Sequence, residues 1–198
     1  MILRPWVVVL AAGGSRRFGG PKLLARIGGE SLLRRVLRAA LGCRPAGCVV
    51  VLGARADRLR RELHAWPVRV VVNGRWRTGL SSSIRAGIAA LPRGAPAAIM
   101  LLADQVAVGP AELALLIAAW RRDPRAIVAA RAGEVSGPPA LFPRRTFADL
   151  RKLRGDSGAK QLIRDPFRHV VVVELPGAAS DVDRPRDLRR LRRPRVLS

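Results

Sequence analysis

Residues 13 to 22 read GGSRRFGGPK: four glycines, one serine and three cations in ten positions. The stretch follows the apolar run WVVVLAA at 6–12. Glycine lets a backbone turn sharply and approach a ligand closely. Successive exposed N–H groups in such a turn form an anion-binding concavity. Arg17 offers a bidentate fork to phosphate oxygens, Lys22 a compact point charge, and Ser15 a hydroxyl donor. The chemistry these residues suit is the holding of a triphosphate. By composition alone they fit an ordinary glycine-rich turn equally well. Neither familiar phosphate loop is present: Pro21 separates Gly20 from Lys22 and Leu23 follows, which breaks G-x-x-x-x-G-K-[ST], and G-x-G-x-x-G does not occur.

A triphosphate travels with a divalent ion, and magnesium favours one or two carboxylates beside phosphate oxygens and water. Asp104 closes the apolar run AAIMLLAD (97–104) and is the first candidate ligand; a turn or helix-capping Asp is the equal alternative. Asn73 ends another run, and Ser81, Ser82 and Ser83 open a helical pattern that at least one of them should cap. In RGDSGAKQLI the residues alone indicate a turn with Ser157 capping a helix, and in DVDRPRDL a helix start with Pro185 in its first turn. His64 and His169 have no partner pattern, so no Ser-His-Asp argument arises. Cys43 and Cys48 lack a second ligand pair for zinc and are too few for a disulfide scaffold; they read as small apolar residues near a helix end and a strand start.

The elements that must carry these groups alternate. WVVVLAA (6–12), CVVVLG (48–53), VRVVVN (68–73), AAIMLLAD (97–104) and AIVAAR (126–131) are continuous apolar runs, as buried strands covered on both faces would be. Between them, 30–41, 56–66, 81–91 and 109–120 space apolar residues by three and four, as amphipathic helices do. Cap chemistry opens them at Glu30-Ser31, Asp57, Ser81–Ser83 and Gly109-Pro110 with Glu112. This order predicts an α/β fold with a mostly parallel sheet. After residue 131, EVSGPPALFPRRTF reads as a loop or short hairpin, followed by a helix (144–153), a strand (169–175) and a last helix (185–192). In a parallel sheet, ligands sit beyond the carboxyl ends of the strands, where the glycine loop lies.

The 198 residues are 49% hydrophobic, enough for a sizeable core in a single domain. The formal net charge is +23, with 37 basic and 14 acidic residues, and only Lys22, Lys152 and Lys160 are lysines. Arginines spread along the whole chain fit a codon bias towards Arg, Ala, Gly and Pro; they also suit anionic partners. Nucleic acid is the rival partner from another class, but the chain has no Tyr and no interleaved aromatic platform. The N-terminal apolar run is too short for a membrane span and lacks cleavage context, which predicts a cytoplasmic protein with no membrane partner.

The order L-A-A-G-x-S-x-R-F-G-x-x-K resembles the signature loop of the MobA-like nucleotidyltransferases, and most closely their molybdenum cofactor cytidylyltransferase (MocA-type) branch. Four later segments agree. NGRWRTGLSSSIRAGI (73–88) is similar to a family segment N-P-x-W-x-x-G-x-x-x-S-x-x-x-G, with Gly74 in place of proline. MLLADQV (100–106) matches with Val106 where proline is usual. SGPPALFPRRTFADLRKLRGDSGAKQLI (136–163) resembles G-x-P-x-L-F…L-x-G-D-x-G-A-[RK], and DVDRPRDL (181–188) resembles D-[IV]-D-x-P-x-D-L.

The resemblance implies a Rossmann-like three-layer α/β/α nucleotidyltransferase fold in one domain, with a nucleotide-binding part about 1–131 and an acceptor-binding part about 132–198. It places Leu10, Ala11, Ala12 and Gly13 along base and ribose, and Gly14, Ser15, Arg17 and Lys22 at the phosphates. Asn73, Gly79, Ser82 and Ser83 would also contact the nucleotide, and Gly155, Asp156, Gly158 and Lys160 the acceptor. Mg²⁺ would bind Asp104 and Asp183; Lys22, Arg17 and Asp104 would carry catalysis. The implied reaction moves CMP from CTP to the terminal phosphate of molybdopterin and releases pyrophosphate, with a recipient molybdoenzyme or its chaperone downstream. A guanylyltransferase, or a transferase acting on another phosphate acceptor, is the nearest alternative; Ala12, where guanylyltransferases tend to have Gly, favours cytosine.

Overall fold

A computed structural model of the chain describes residues 3–156, 158–179, 182 and 185–192. In chain order the elements are β1 (Trp6–Ala11), β2 (Arg26–Ile27), β3 (Glu30–Ser31), α1 (Leu32–Gly42), β4 (Gly47–Leu52), α2 (Ala56–Leu63), β5 (Arg69–Val72), α3 (Leu80–Ala89), β6 (Ala97–Leu102), α4 (Pro110–Arg122), β7 (Ile127–Ala132), β8 (Val135–Pro143), α5 (Phe147–Lys152), α6 (Lys160–Arg164), β9 (Val170–Glu174) and α7 (Pro185–Arg192). Seven strands form one sheet in the order β5-β4-β1-β6-β8-β7-β9; β2 and β3 form a small separate ribbon. All sheet pairings are parallel except the two made by β8.

Strand β1 shows why the apolar runs are continuous. Val7, Val9 and Ala11 face one core with α1, α2 and α4; Val8 and Leu10 face the other with α3, α5 and α6. Residues alternate between faces, and helices cover both, so no position is left for a polar side chain. The result is the expected three-layer α/β/α arrangement. Helix α3 sits unusually close to β1, because a Cβ on Gly87 would lie 2.4 Å from Val8 Cγ1. Helix α1 is capped as its sequence implies: Ser31 Oγ accepts from the Arg34 N–H. Its cap hydroxyl in turn donates to Glu62 on α2.

Two elements differ from the sequence reading. EVSGPPALFPRRTF contains a nine-residue strand, β8, inserted antiparallel between β6 and β7. Two of its prolines are tolerated because pairing with β7 jumps there: Ala130 opposes Gly137 and Ala129 opposes Ala140, leaving Pro138 and Pro139 outside the register, while Pro143 ends the strand opposite Ala97. The segment 68–73 is not a fully buried strand. It forms β5, an edge strand whose Val72 is 47% exposed.

Candidate functional site

The carboxyl end of β1 is held from both sides. The Leu10 carbonyl accepts from the Ala103 N–H beyond β6, and the Ala12 carbonyl from the Ala54 N–H beyond β4. Between β1 and β6 the strand order reverses direction, which is where a parallel sheet opens a crevice. The glycine loop leaves β1 at this point. Ser15 adopts a left-handed conformation (φ 53°), and its carbonyl accepts from the Phe18 N–H. A 3₁₀ turn at Lys22–Leu24 then sends neighbouring side chains to different places. Leu23 enters the core. Lys22, only 8% exposed, donates from Nζ to Asp104 Oδ2 at 2.7 Å.

Asp104 follows β6 and is fixed by its surroundings. Its carbonyl accepts from the Val182 N–H. Buried Gln105 accepts at Oε1 from the Leu102 N–H and donates from Nε2 to the Pro138 carbonyl at 2.7 Å. A longer bond from Gln105 Nε2, 3.5 Å, reaches the Ala178 carbonyl. Glu112 of α4 accepts from the Gly109 and Gly177 N–H groups. Val182 is thus moored against Asp104; Asp183, next in the chain, lies outside the described residues. Glu112 caps α4 at Gly109 as its sequence implied, but its bond to Gly177 and the whole role of Gln105 were missed by sequence reasoning, since nothing local marks partners some 65 and 33 residues away.

The second segment is built around Asn73. Buried beyond β5, it donates from Nδ2 to Ser82 Oγ and Ser83 Oγ at 2.8 and 3.0 Å, and accepts at Oδ1 from the Arg75 N–H. None of the three serines caps α3. Gly79 occupies the cap position, and Ser82 Oγ donates back to its carbonyl. The first N–H groups of α3 are satisfied by a distant loop: Leu80 donates to Asp156 Oδ1 at 3.3 Å and Ser81 to the Gly155 carbonyl at 3.1 Å. Gly79 permits this junction. Its φ is 107°, and a Cβ there would lie 2.5 Å from the Gly155 carbonyl oxygen.

These parts enclose a cleft of about 440 Å³. Leu10, Ala11, Ala12, Gly13, Gly14, Ser15 and Lys22 line one side, Gly79, Ser83 and Asp156 another, and Asp104 the floor between β1 and β6. Trp76, Arg77, Leu80, Leu23, Leu102 and Ala103 complete the lining. Asn73, Ser82 and Gly155 stand behind the lining as its supports. Arg17 is exposed on the loop outside the lining. Lys160 opens α6 outside it too, with its Cε near Gly137 of β8, and Gly158 packs towards Leu80. The cleft therefore brings together a glycine-rich backbone turn, two cations (Lys22 and Arg77) and two carboxylates (Asp104 and Asp156). That set can hold phosphate oxygens and share a divalent ion with them.

Neither cysteine is in a disulfide, and neither lines the cleft. Burial, with Cys43 nearby, pushes the Cys48 thiol up to about 12; burial pushes that of Cys43 up to about 11. His169 Nε2 lies 2.7 Å from Asp123 Oδ2, away from the cleft. Among the described residues no helix is long and apolar enough to cross a membrane.

Comparison with known proteins agrees with this architecture. The profile of the MobA-like NTP transferase domain matches residues 7–172. The nicotine blue oxidoreductase of Paenarthrobacter nicotinovorans is 32% identical over 79% of this chain and 80% of its own length. The 2-C-methyl-D-erythritol 4-phosphate cytidylyltransferase of Stenotrophomonas maltophilia is 36% identical over 70% of this chain and 66% of its own. Among solved structures, Rv0371c from Mycobacterium tuberculosis H37Rv superposes with a TM-score of 0.86 at 30% identity, covering 97% of this chain and 99% of that one. The complex of the same protein with manganese gives 0.81 at 28% identity, covering 95% and 97%. With a matching profile across most of its length and a relative above 30% identity over four-fifths of both chains, the chain belongs to the MobA-like NTP transferase domain family and is a nucleotidyltransferase.

Proposed function

We propose that the chain transfers CMP from CTP to the terminal phosphate of molybdopterin carrying molybdenum. The observation that carries this reading is the Lys22–Asp104 pair, at 2.7 Å, on the floor of a cleft walled by the glycine loop. The N–H groups of Gly13 to Ser15 cradle the triphosphate, with base and ribose along Leu10 to Ala12 and Ser83. An acceptor phosphate oxygen forms a bond to the α-phosphorus, the bond from that phosphorus to the bridging oxygen breaks, and pyrophosphate leaves with the electron pair. The nucleophile is already ionised at neutral pH, so no general base is needed. Lys22 offsets charge that builds on the phosphoryl oxygens, and orientation supplies most of the remainder. Arg17 reaches the phosphates only if the loop closes over them. The acceptor lies towards 132–198, nucleotide towards 1–131, within one domain.

The residues fit a divalent ion. Asp104 Oδ2 is engaged by Lys22, but among the described residues its second oxygen accepts no hydrogen bond, and the carboxylate reaches the cleft. Among the described residues no cage of three or more ligating side chains exists, which suits a cation that arrives on the triphosphate. Asp104 would hold it, with Asp183 as the second carboxylate; the mooring of Val182 supports that assignment. When bound, Mg²⁺ would supply neutralisation of the charge on the phosphates. CTP is favoured by Ala12 and by a cytidylyltransferase among the relatives.

Pyrophosphate release from CTP, GTP, ATP and UTP with Mg²⁺, with and without molybdenum-loaded molybdopterin, tests the reading. CTP alone, and only with the acceptor, should react. Preference for GTP would make the protein a guanylyltransferase instead.

A further inference from the structure

Arg77 lines the same cleft. Its guanidinium carbon lies 4.8 Å from the centroid of the Trp76 ring. Among the described residues it makes no hydrogen bond and no ion pair, whereas the other cation of the lining, Lys22, is matched by Asp104. The remaining carboxylate of the lining, Asp156, accepts from the Leu80 N–H. Among the described residues, the five donors of Arg77 therefore have no partner but the Trp76 ring face. Stacking orients a guanidinium and limits its freedom while leaving its N–H fork available, an arrangement suited to an oxyanion.

The position indicates which anion. The outer edge of the Trp76 ring (Cζ3 and Cη2) abuts Gly14, so the indole stands against the glycine loop with Arg77 on its face. Arg77 then runs through Thr78 into Gly79 and Leu80, the stretch fastened to Gly155 and Asp156. That junction joins the glycine-loop wall to the part of the chain carrying residues 155–160. We infer that Arg77, held on Trp76, anchors the phosphate of the acceptor and so selects a phosphate-bearing second substrate. This rests on the nucleotidyl-transfer reading above. The triphosphate of the nucleotide is the competing source of the same oxygens.

Two arms test it. In the first, initial rates of pyrophosphate release are measured with CTP and molybdopterin varied in turn. Arg77→Gln should raise the acceptor KM about tenfold or more and leave the CTP KM within about twofold; Arg77→Lys should recover only part, since an ammonium lacks the fork. A rise in the CTP KM, or no change in either, overturns the inference. If wild-type protein does not turn over molybdopterin, the acceptor proposed above is wrong, and the second arm decides Arg77 by itself. Protein loaded with CTP and Mg²⁺ is titrated with inorganic phosphate and followed by tryptophan fluorescence, with Trp76→Phe identifying the signal. A saturable response about tenfold weaker in Arg77→Gln supports the inference. No response in the wild type, or an unchanged one in Arg77→Gln, overturns it.

Discussion

Lys22 and Asp104 stand 82 residues apart in the chain and 2.7 Å apart in space. Their meeting requires β1 and β6 to be parallel neighbours ending at the same edge, which they are. Asp104 is delivered two residues beyond β6, and Lys22 by the glycine loop, eleven residues beyond β1.

Asp104→Asn keeps the shape but removes the carboxylate that the Lys22 ammonium meets at 2.7 Å. Removing one partner of a well-buried pair costs 3–5 kcal/mol; the Asp104 side chain is 25% exposed, so about 1–3 kcal/mol is expected here. Urea unfolding measures this. Transfer should fall by about a hundredfold or more, because the same group serves the phosphates.

Gly13 and Gly87 offer a contrast. A Cβ on Gly13 would meet nothing within 4 Å, whereas one on Gly87 would lie 2.4 Å from Val8 Cγ1. Gly87→Ala should lose about 1–3 kcal/mol through overpacking. Gly13→Ala should unfold within about 0.5 kcal/mol of the wild type. Its CTP affinity should nevertheless drop, since the open space beside Gly13 is where the nucleotide approaches. Unchanged CTP affinity by calorimetry would remove Gly13 from the binding surface.

Gly79→Ala faces both a φ of 107° and a clash with the Gly155 carbonyl. A loss of about 2 kcal/mol or more is expected. Hydrogen exchange should also show the Leu80 and Ser81 amides losing protection, as their acceptors at 155 and 156 move away. Thermal unfolding at the wild-type midpoint would contradict the junction described.

The cysteines give a pH dependence. Burial raises the Cys48 thiol to about 12 and the Cys43 thiol to about 11, above the usual 9.0. The unfolded chain then releases protons that the folded chain keeps. Their contribution to stability is complete below pH 9 and is lost as pH climbs from 9 towards 12. Urea midpoints between pH 8.5 and 10.5 should decline, less steeply in Cys48→Ala. At pH 8 a thiol reagent should leave Cys48 unmodified until the protein unfolds.

The central strands were legible because burial on both faces leaves their mark in unbroken apolar runs such as VVVL (7–10) and VVVL (49–52). β8 was not, because its glycine and prolines carry turn chemistry, and only pairing with β6 and β7, remote in sequence, makes it a strand. The glycine loop and Asp104 could be read from residue types at strand ends. The cap that Asp156 provides for α3 could not, since the serines beside that helix offered a nearer capping group and the true acceptor lies 76 residues on. Arg77 was likewise hidden among many arginines until the fold set it on Trp76.

Pyrophosphate release by wild type and Asp104→Asn, each given CTP, Mg²⁺ and molybdenum-loaded molybdopterin, tests the cleft most directly. Release by the wild type that depends on all three, and its near-complete loss in a variant still folded by circular dichroism, is the result expected. Comparable rates from the two proteins would show that the chemistry does not run through the Lys22–Asp104 floor.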